Sequence, residues 1–407
     1  MKLALMGIGL TAALAMVGPR AAIAAGPDVV IGDVDDMSGA LSDNLGMGGV
    51  EAIKMAIADF GGTVLGRRIV VVYADHQNKP DIAVSKAREW ADQNGLNMLF
   101  GGTNTGAAIA ISKVMPAKKV PLFITGASGA SLTNEDCTAY TVHYVYNTTA
   151  LANGTAATVV KNGGNSWFYL TADYAFGTQL QSAASKVVES SGGNNVGAVR
   201  VPLQTSDFSS FVLQAQSSGA QVLALANAGT DFINSLKAAH EFGLTKTMKP
   251  VGLVVFIPNI HSLGLDVAQG LTITTAWYWD LNDETRAFSK RYQERTQKPP
   301  TMAQAGTYSA TRTYLNAVKA AGTTDADKVM AELKRTKIND MFAKGGYIRG
   351  DGLMIHSMYV MQVKSPQESK YPWDYCKVVK VMSGEDAFGP ITGLCPLAPS
   401  SSGRAVL

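Results

Sequence analysis

Three short loops of the sequence combine hydroxyl or amide side chains with glycine, and each follows an apolar run. They are Ser38-Gly39, the segment 103–106 (Thr-Asn-Thr-Gly) and the segment 125–129 (Thr-Gly-Ala-Ser-Gly). Because such a loop precedes a helix or a turn, its backbone N–H groups and hydroxyls can donate hydrogen bonds to an anion. The same residue types also cap helices without any ligand. Their recurrence after three strands of one predicted sheet favours an anion-binding site over capping alone.

Aromatic side chains form the second group of candidate binding residues. Tyr174 and Phe176 follow a predicted strand, Trp277-Tyr278-Trp279 stands where the chain is predicted to cross between two sheets, and Tyr308 lies in a predicted helix. Aromatic residues in such places serve either as core or as the apolar wall of a small-molecule site, which also needs a few convergent polar groups. The sequence leaves both roles open.

Motifs for catalysis or for a resident metal are missing from the sequence. It contains no G-x-S-x-G, G-K-[ST], G-x-G-x-x-G or H-E-x-x-H. The five histidines form no H-x-H or H-x-x-x-H pair, and there is no C-x-x-C. Asp75 and Asp173 are acids without an evident partner. The sequence therefore predicts a protein that is not an enzyme and that uses no cofactor and no metal.

The candidate residues lie between alternating predicted strands and helices. An apolar run over 29–32 predicts a strand, and apolar residues at helical spacing over 50–60 predict a helix. The same alternation starts again after Tyr146 and includes a strand predicted over 251–256. Two α/β units of similar size, each with a parallel sheet covered by helices, predict a two-lobed molecule. Its ligand cleft should lie at the carboxyl ends of the strands.

Composition and the N-terminus indicate an exported protein that does not bind nucleic acid. The 407 residues carry 35 Lys and Arg against 32 Asp and Glu, a formal charge of +3, and no block of five like charges occurs. Met1-Lys2, an apolar run to Val17 and the exit Ala22-Ile23-Ala24 predict a signal peptide over 1–24. No later apolar run is long enough to span a bilayer. A soluble, monomeric, periplasmic protein is expected.

Five segments together resemble the type I periplasmic solute-binding proteins of ABC importers, in particular the leucine/isoleucine/valine-binding family. The segments are 36–42 (Asp-Met-Ser-Gly-Ala-Leu-Ser), 101–110, 120–125, 173–177 and 306–310. The resemblance covers nearly all of the mature chain. It implies an α/β fold of two Rossmann-like lobes, joined by a hinge of three crossovers, that close over one small molecule.

The resemblance also implies domain boundaries and site residues. Lobe one is expected to comprise 25–146 and 277–357, lobe two 147–276 and 358–385, and 386–407 a C-terminal tail. Lobe one should grip the ligand carboxylate, and lobe two should close with an aromatic side chain. The candidate ligand-binding residues are Ser38, Gly39, Met47, Asn104, Thr105, Ala127, Ser128, Gly129, Tyr174, Phe176, Asn227, Asp231, Tyr278 and Tyr308.

One departure from the family concerns the amino group of an amino-acid ligand. Amino-acid binders of the family place a carboxylate after a late strand of lobe two, whereas the corresponding stretch 250–256 (Pro-Val-Gly-Leu-Val-Val-Phe) contains no acid. A buried ammonium without a partner costs on the order of several kcal/mol. Asp231 is the acid that could substitute. The sequence therefore favours a carboxylate without an amine, either an aromatic acid or a 2-oxo acid.

Three cysteines predict one disulfide and one free thiol in an oxidising compartment. They are Cys137, Cys376 and Cys395. The cysteine pair found in some members of the family is absent, because no Cys lies near His76 or Thr103. A Cys137–Cys395 bridge is favoured over a Cys376–Cys395 bridge.

The leading functional hypothesis is the substrate-binding component of an importer, with a membrane permease and its ATPase as partners. A ligand-sensing receptor of the amide- or urea-responsive type on the same fold is the alternative. The signal peptide argues against a cytoplasmic regulator, and the lack of a spanning run argues against a receptor ectodomain. A secreted hydrolase is disfavoured because no nucleophile–base pair is evident.

Overall fold

The first half of the chain folds around a six-stranded sheet. A computed structural model describes residues 26–398, so the predicted signal peptide 1–24 lies outside the described residues. The strands of this sheet are β1 (Val29–Asp35), β2 (Thr63–Val64), β3 (Arg67–Asp75), β4 (Leu96–Phe100), β5 (Leu122–Ile124) and β6 (Thr141–His143). Their order is β2-β3-β1-β4-β5-β6, with only β2 antiparallel to its neighbour. This sheet and the helices packed on it are called lobe one.

Helices cover both faces of the central strand β1, which is buried along its whole length. This double burial explains the apolar run over 29–31 at the start of the strand. The helices between the strands of lobe one are α1 (Gly46–Phe60), α2 (Pro80–Gln93), α3 (Thr105–Ser112) and α4 (Met115–Lys118). The segment 105–118 forms two helices and not one, because Pro116 has no N–H to continue α3 and stands in the first turn of α4.

The second sheet carries lobe two. Its strands are β7 (Ser166–Ala172), β8 (Asn194–Val201), β9 (Val222–Ala226) and β10 (Lys249–Gly252). They are all parallel, in the order β10-β9-β7-β8. The accompanying helices are α5 (Thr148–Lys161), α6 (Ala175–Ser190), α7 (Ser209–Ser217), α8 (Gly229–Glu241), α9 (Ile257–Leu263) and α10 (Leu265–Ala268).

The strand predicted over 251–256 is wrong in its second half. Strand β10 ends at Gly252, and the next four residues carry no strand pairing. The chain turns tightly after β10, since a Cβ on Gly252 would lie 2.3 Å from Cγ2 of Val255. Val254 and Phe256 are nevertheless almost fully buried. Their apolar character therefore reflects burial between the lobes, which a sequence pattern does not distinguish from burial in a sheet.

The remaining elements return to both lobes. They are β11 (Thr272–Thr275), α11 (Asp283–Thr296), α12 (Met302–Ala321), α13 (Ala326–Arg335), β12 (Lys337–Ile338), β13 (Gly346–Ile348), β14 (Met354–Ile355), β15 (Met358–Val363), β16 (Cys376–Met382) and α14 (Gly384–Phe388). Helix α12 packs on α1 of lobe one, whereas β11 lies beside β10 of lobe two in an antiparallel sheet of order β11-β15-β16. The fold is thus α/β with two lobes, as predicted.

Cys137 and Cys395 form a disulfide, and Cys376 is a buried free thiol. The bonded cysteines are 258 residues apart in the sequence, so the bridge attaches the C-terminal segment to lobe one. Within residues 26–398, no helix combines the length and the apolar character needed to cross a bilayer.

Candidate ligand-binding site

Asp35, at the carboxyl end of β1, ties three segments of lobe one together. Its side chain is fully buried. Oδ1 accepts hydrogen bonds from the N–H of Asp36 and from both the N–H and the hydroxyl of Thr103, each at 2.7 Å. Oδ2 accepts a bond from the N–H of Gly46 at 2.8 Å. The end of β1, the start of α1 and the loop before α3 are therefore held at one point.

Asp33 lies two residues earlier on the same face of β1 and is also buried. Neither of its carboxyl oxygens has a hydrogen-bond partner among the residues described. Burial raises the pKa of Asp33 well above its usual value, and the nearby Asp35 raises it further. Burial also raises the pKa of Asp35, but four donors surround that carboxylate. The four donors therefore favour the ionised form of Asp35, whereas no group in the described chain stabilises an ionised Asp33.

The loop after β1 is shaped by a second carboxylate, that of Asp36. Its oxygens accept hydrogen bonds from the N–H groups of Gly39 at 2.7 Å and Leu41 at 2.8 Å. The hydroxyl of Ser38 donates to Oδ2 of Asp75 at 2.5 Å. The candidate residues Ser38 and Gly39 thus use their polar groups to build the loop.

Two further loops of lobe one meet beside this one. Asn104 caps α3, because its Oδ1 accepts the N–H of Ala107 at 3.1 Å. A Cβ on Gly129 would lie 2.4 Å from Cγ2 of Thr105, so glycine is required where the loops touch. The hydroxyls of Thr105 and Ser128 are buried and have no partner among residues 26–398. These two hydroxyls of the predicted anion site keep their hydrogen-bonding capacity.

A central cavity lies between the lobes and has a volume of about 20 Å³. None of the described residues that line it is charged. Polar groups and aromatic rings from both lobes and from the segment between them surround it. The lining residues are Leu41, Asn44, Thr103, Gly126, Ser128, Tyr146, Tyr174, Phe176, Ala228, Val254 and Phe256.

Aromatic rings form much of the cavity wall. Tyr146 and Phe256 meet edge to face with 6.1 Å between ring centroids, and Tyr174 and Phe176 lie 5.5 Å apart. Burial raises the pKa of both tyrosines, so both are neutral phenols at neutral pH. Such a wall suits an uncharged, flat or apolar part of a ligand.

Of the sequence candidates, Ser128, Tyr174 and Phe176 line the central cavity. Thr105 and Gly129 belong to the two loops that meet beside it. Ala127 cannot bind a ligand through its backbone, because its N–H donates to the carbonyl of Gly102 and its carbonyl contacts the ring nitrogen Nε2 of His143, both at 2.9 Å.

Three candidates lie elsewhere, which corrects their assignment to the ligand site. Met47 is 43% exposed and lines a separate outer groove of about 360 Å³. The hydroxyl of Tyr278 donates to the carbonyl of Trp373 at 2.9 Å, and that of Tyr308 donates to Oδ2 of Asp59 at 2.6 Å. Helix α12 directs Tyr308 towards α11 and α1, and the segment after β11 directs Tyr278 into the core of lobe two.

Asn227 and Asp231 flank the start of α8 without lining the cavity. The amide of Asn227 donates to the hydroxyl of Ser235 at 3.0 Å. Oδ2 of Asp231 accepts the N–H of Gln204 at 3.0 Å, whereas Oδ1 is buried without a partner in the described chain. Burial raises the pKa of Asp231 to about 6. This carboxyl is therefore directed towards its own lobe, next to the cavity residue Ala228.

Several lining residues were not predicted as ligand contacts. Thr103 starts a loop that was identified, and Val254 and Phe256 lie in the stretch noted for its lack of an acid. Tyr146 was used only as a boundary, and Asn44 carried no signal at all. These residues become neighbours through contacts between segments far apart in the chain, which periodicity and local motifs do not report.

The lobes contact each other directly across the cleft. The N–H of Thr230 at the start of α8 donates to the carbonyl of Ala40 in lobe one at 3.0 Å. The amide of Gln179 on α6 accepts the N–H of Ser131 at 3.1 Å and donates to its hydroxyl at 3.0 Å. The structure is therefore a closed form.

Two α/β lobes that close on an uncharged cavity define a solute-binding protein, and a family model supports this class. The model described as periplasmic binding protein matches residues 28–370. The chain belongs to the periplasmic binding protein family. Within it, the chain is of the branched-chain amino acid type found with ABC transporters, the Leu/Ile/Val-binding group.

Relatives and solved structures support this placement. The chain is 27% identical over 331 residues to Leu/Ile/Val-binding protein homolog 6 of Brucella melitensis biotype 1, covering 77% of this chain and 82% of that protein. A periplasmic binding protein from Burkholderia mallei is 56% identical, with TM-score 0.90 and coverage of 91% and 99% of the two chains. A branched-chain amino acid ABC transporter periplasmic ligand-binding protein from Burkholderia xenovorans LB400 is 40% identical, with TM-score 0.80 and coverage of 89% and 97%.

At lower identity only the fold is shared. A solute-binding protein of an ABC transporter from R. palustris, solved in complex with 4-hydroxybenzoate, is 24% identical with TM-score 0.80 and coverage of 88% and 97%.

Proposed function

We propose that this protein is the periplasmic substrate-binding component of an ABC importer and captures a small carboxylate without an amino group. The observation that carries the proposal is the central cavity, which joins unpartnered polar groups of lobe one to aromatic rings and has no charged lining residue. A few convergent polar groups in an otherwise apolar cavity are typical of a small-molecule site.

Hydrogen-bond donors for a carboxylate are available in the loop 126–129. The hydroxyl of Ser128 is buried and has no partner in the described chain. No acceptor among residues 26–398 takes the backbone N–H of Ser128 or Gly129. Consecutive free N–H groups form a concave site that favours an anion. The loop therefore offers three donors to one carboxylate group.

An amino-acid ligand is disfavoured by what surrounds the cavity. Val254 and Phe256 line the cavity, and they belong to the stretch 250–256 that, by the resemblance, corresponds to the place of the acid in amino-acid binders and contains none. The carboxyl of Asp231 bonds to Gln204 in its own lobe, and its pKa of about 6 leaves a fraction neutral in mildly acidic medium. Without a charged partner, burying an ammonium costs on the order of several kcal/mol.

Ligand entry requires the lobes to separate. The cavity volume of about 20 Å³ is close to that of one water molecule, whereas a dry cavity of about 150 Å³ is what holds benzene. An aromatic or 2-oxo acid would therefore enter an open form, and the closed cavity would widen to hold it. The 4-hydroxybenzoate complex of the R. palustris protein supports an aromatic acid on this fold.

The rest of the proposal concerns transport. Export through the signal peptide 1–24 and delivery to a membrane permease with its ATPase follow from the importer role. We place lobe one at 25–146 and 277–357, lobe two at 147–276 and 358–385, and a tail at 386–407. We propose that the protein acts as a monomer.

Isothermal calorimetry with two matched pairs tests the proposal. 3-Phenylpropanoate and phenylalanine differ only in the ammonium, as do 4-methylpentanoate and leucine. The carboxylate of at least one pair is expected to bind tenfold or more tighter than its amino acid. Tighter binding of both amino acids would overturn the exclusion of amines and direct attention to Asp231.

The variant Ser128→Ala tests the anion-binding loop. Loss of one hydrogen bond to a charged group costs about 1.5–3 kcal/mol, which corresponds to binding of the carboxylate that is weaker by a factor of roughly ten to a hundred. Ser217→Ala is the matched control, since that hydroxyl is exposed and bonds only to the carbonyl of Leu213 in its own helix. Equal affinities of the two variants would exclude Ser128 from the site.

A further inference from the structure

Thr103 lines the central cavity, and the hydrogen of its hydroxyl is already committed. Its hydroxyl donates to Oδ1 of Asp35 at 2.7 Å, and its N–H donates to the same atom. The two oxygens of Asp35 accept hydrogen bonds from four donors, so this carboxyl group acts towards Thr103 as an acceptor. The hydroxyl of Thr103 cannot turn its hydrogen towards a ligand without breaking its bond to that carboxyl group.

The hydroxyl of Tyr146 has likewise already donated its hydrogen. The hydroxyl of Tyr146 donates to the carbonyl of Gly126. Gly126 in turn lies against Thr103, since a Cβ added to Gly126 would be 2.8 Å from Cγ2 of Thr103. Both Tyr146 and Thr103 line the cavity. The oxygen of each hydroxyl retains acceptor capacity only, so this part of the wall accepts hydrogen bonds and does not donate them.

The acceptor wall adjoins the donor loop. Ser128, with its free hydroxyl and N–H, follows Gly126 by two residues, which is at most about 7 Å along an extended chain. Ser128, Thr103 and Tyr146 line the same small cavity of about 20 Å³, so we place the carbon next to a carboxylate held by Ser128 within reach of the oxygens of Thr103 and Tyr146. Any group attached to that carbon therefore faces the hydrogen-bond acceptors of this wall.

We infer that the ligand carries a hydrogen-bond donor beside its carboxylate, and that the site selects a 2-hydroxy acid over a 2-oxo acid. The inference rests on the proposed function. A hydroxyl can donate to Thr103 or Tyr146, whereas a 2-oxo oxygen would face two acceptors without any hydrogen between them. An ammonium would also donate, but no charged residue lines the cavity to balance its charge.

Three probes that differ only at the carbon beside the carboxylate test this inference by calorimetry. They are 3-phenylpropanoate, phenylpyruvate and phenyllactate, which carry hydrogen, an oxo group and a hydroxyl at that position. Phenyllactate is expected to bind at least tenfold tighter than phenylpyruvate, and phenylpyruvate no tighter than 3-phenylpropanoate.

Variants of Thr103 separate recognition from folding. Thr103→Val removes the acceptor oxygen, and the ratio of phenyllactate to 3-phenylpropanoate affinity should fall to within about threefold of one. Thr103→Ser keeps the hydroxyl and should keep the wild-type ratio. The ratio is the readout because a merely structural effect of the valine would weaken both probes alike.

The outcomes distinguish the inference from the function on which it rests. If the three probes bind the wild-type protein within threefold of one another, or if phenylpyruvate binds tightest, the selection of a hydroxyl is wrong while carboxylate binding stands. If none binds but phenylalanine does, the proposed ligand class is wrong and the inference falls with it.

Discussion

Asp231 shows how the surroundings of one side chain set its chemistry. It is 2% exposed, with one oxygen bonded to the N–H of Gln204 and the other without a partner in the described chain. Burial disfavours the charged form and raises its pKa to about 6. A carboxyl in this state is a poor permanent counter-ion for a ligand ammonium in mildly acidic surroundings.

The raised pKa of Asp231 predicts a pH dependence of stability. An unfolded aspartate titrates near 3.9, so between about pH 4 and 6 the folded state binds more protons than the unfolded state. The free energy of unfolding of the wild type should therefore fall as pH rises through this window. The free energy of unfolding of the wild type should fall by about 1–3 kcal/mol more than that of Asp231→Asn, a variant that keeps an acceptor for Gln204.

Urea denaturation of both proteins at half-unit steps from pH 4 to 7 measures this difference. Asp173→Asn, at an exposed position next to the cavity residue Tyr174, is the matched control and should follow the wild-type profile. Parallel profiles for the wild type and Asp231→Asn would show that this carboxyl is not perturbed.

At the scale of elements, the C-terminal segment adds a connection between the lobes to the three implied by the resemblance. Strand β16 of lobe two leads into α14, which packs on α5 and whose Ala387 carbonyl accepts the amide of Asn153 at 2.9 Å. Beyond α14, Arg349 donates to the carbonyl of Gly389 at 2.7 Å, and the disulfide attaches Cys395 to lobe one. The segment therefore runs from one lobe to the other.

Replacing both bridged cysteines, Cys137→Ser with Cys395→Ser, should lower the free energy of unfolding by about 2–5 kcal/mol, because the bridge restricts the unfolded chain. Equilibrium unfolding in urea measures the loss. Cys376→Ser is the control that keeps the bridge. An unchanged midpoint for the double variant would mean that the bridge does not form in the protein as exported.

The free thiol gives a second, independent check of the bridge. Cys376 is 5% exposed, and burial raises its pKa to about 12, so it should resist alkylation in the folded protein. Intact mass after alkylation without reductant should show no modified thiol in buffer and one in denaturant. Three modified thiols in denaturant would contradict the bridge.

At the scale of the whole molecule, the closed form depends on a few contacts between the lobes. Gln179 of lobe two exchanges two hydrogen bonds with Ser131, and Thr230 donates to Ala40. These groups lie outside the cavity, so they stabilise closure without touching the ligand. Ligand affinity then depends on the fraction of molecules that can close.

Gln179→Ala should weaken carboxylate binding by a factor of roughly 5 to 150, since two hydrogen bonds of about 0.5–1.5 kcal/mol each are lost from the closed form. Small-angle scattering should show that saturating carboxylate lowers the radius of gyration of the wild type, with a smaller population of the compact form in the variant. Gln269→Ala, in which the lost amide bonds only within its own segment, is the control. Wild-type affinity in Gln179→Ala would exclude this contact from closure.

The sequence by itself determined the α/β alternation, because apolar runs and helical spacing arise from burial within single elements. It also determined the three polar loops at strand ends, since caps and turns need particular residues locally, as Asn104 and Gly129 do. Such local signals, together with the resemblance, identified three of the residues that line the cavity, namely Ser128, Tyr174 and Phe176.

Tertiary structure alone decided which side chains share the cavity and in which polarity they face it. The hydroxyls of Tyr308 and Tyr278 donate hydrogen bonds within single lobes. The rings of Tyr146 and Phe256, by contrast, are in contact although the two residues are 110 positions apart in the sequence. The acceptor character of Thr103 depends on Asp35, 68 residues away, and on the other donors that surround that carboxylate. Burial and hydrogen-bond direction are properties of such distant contacts, and a local residue pattern carries neither.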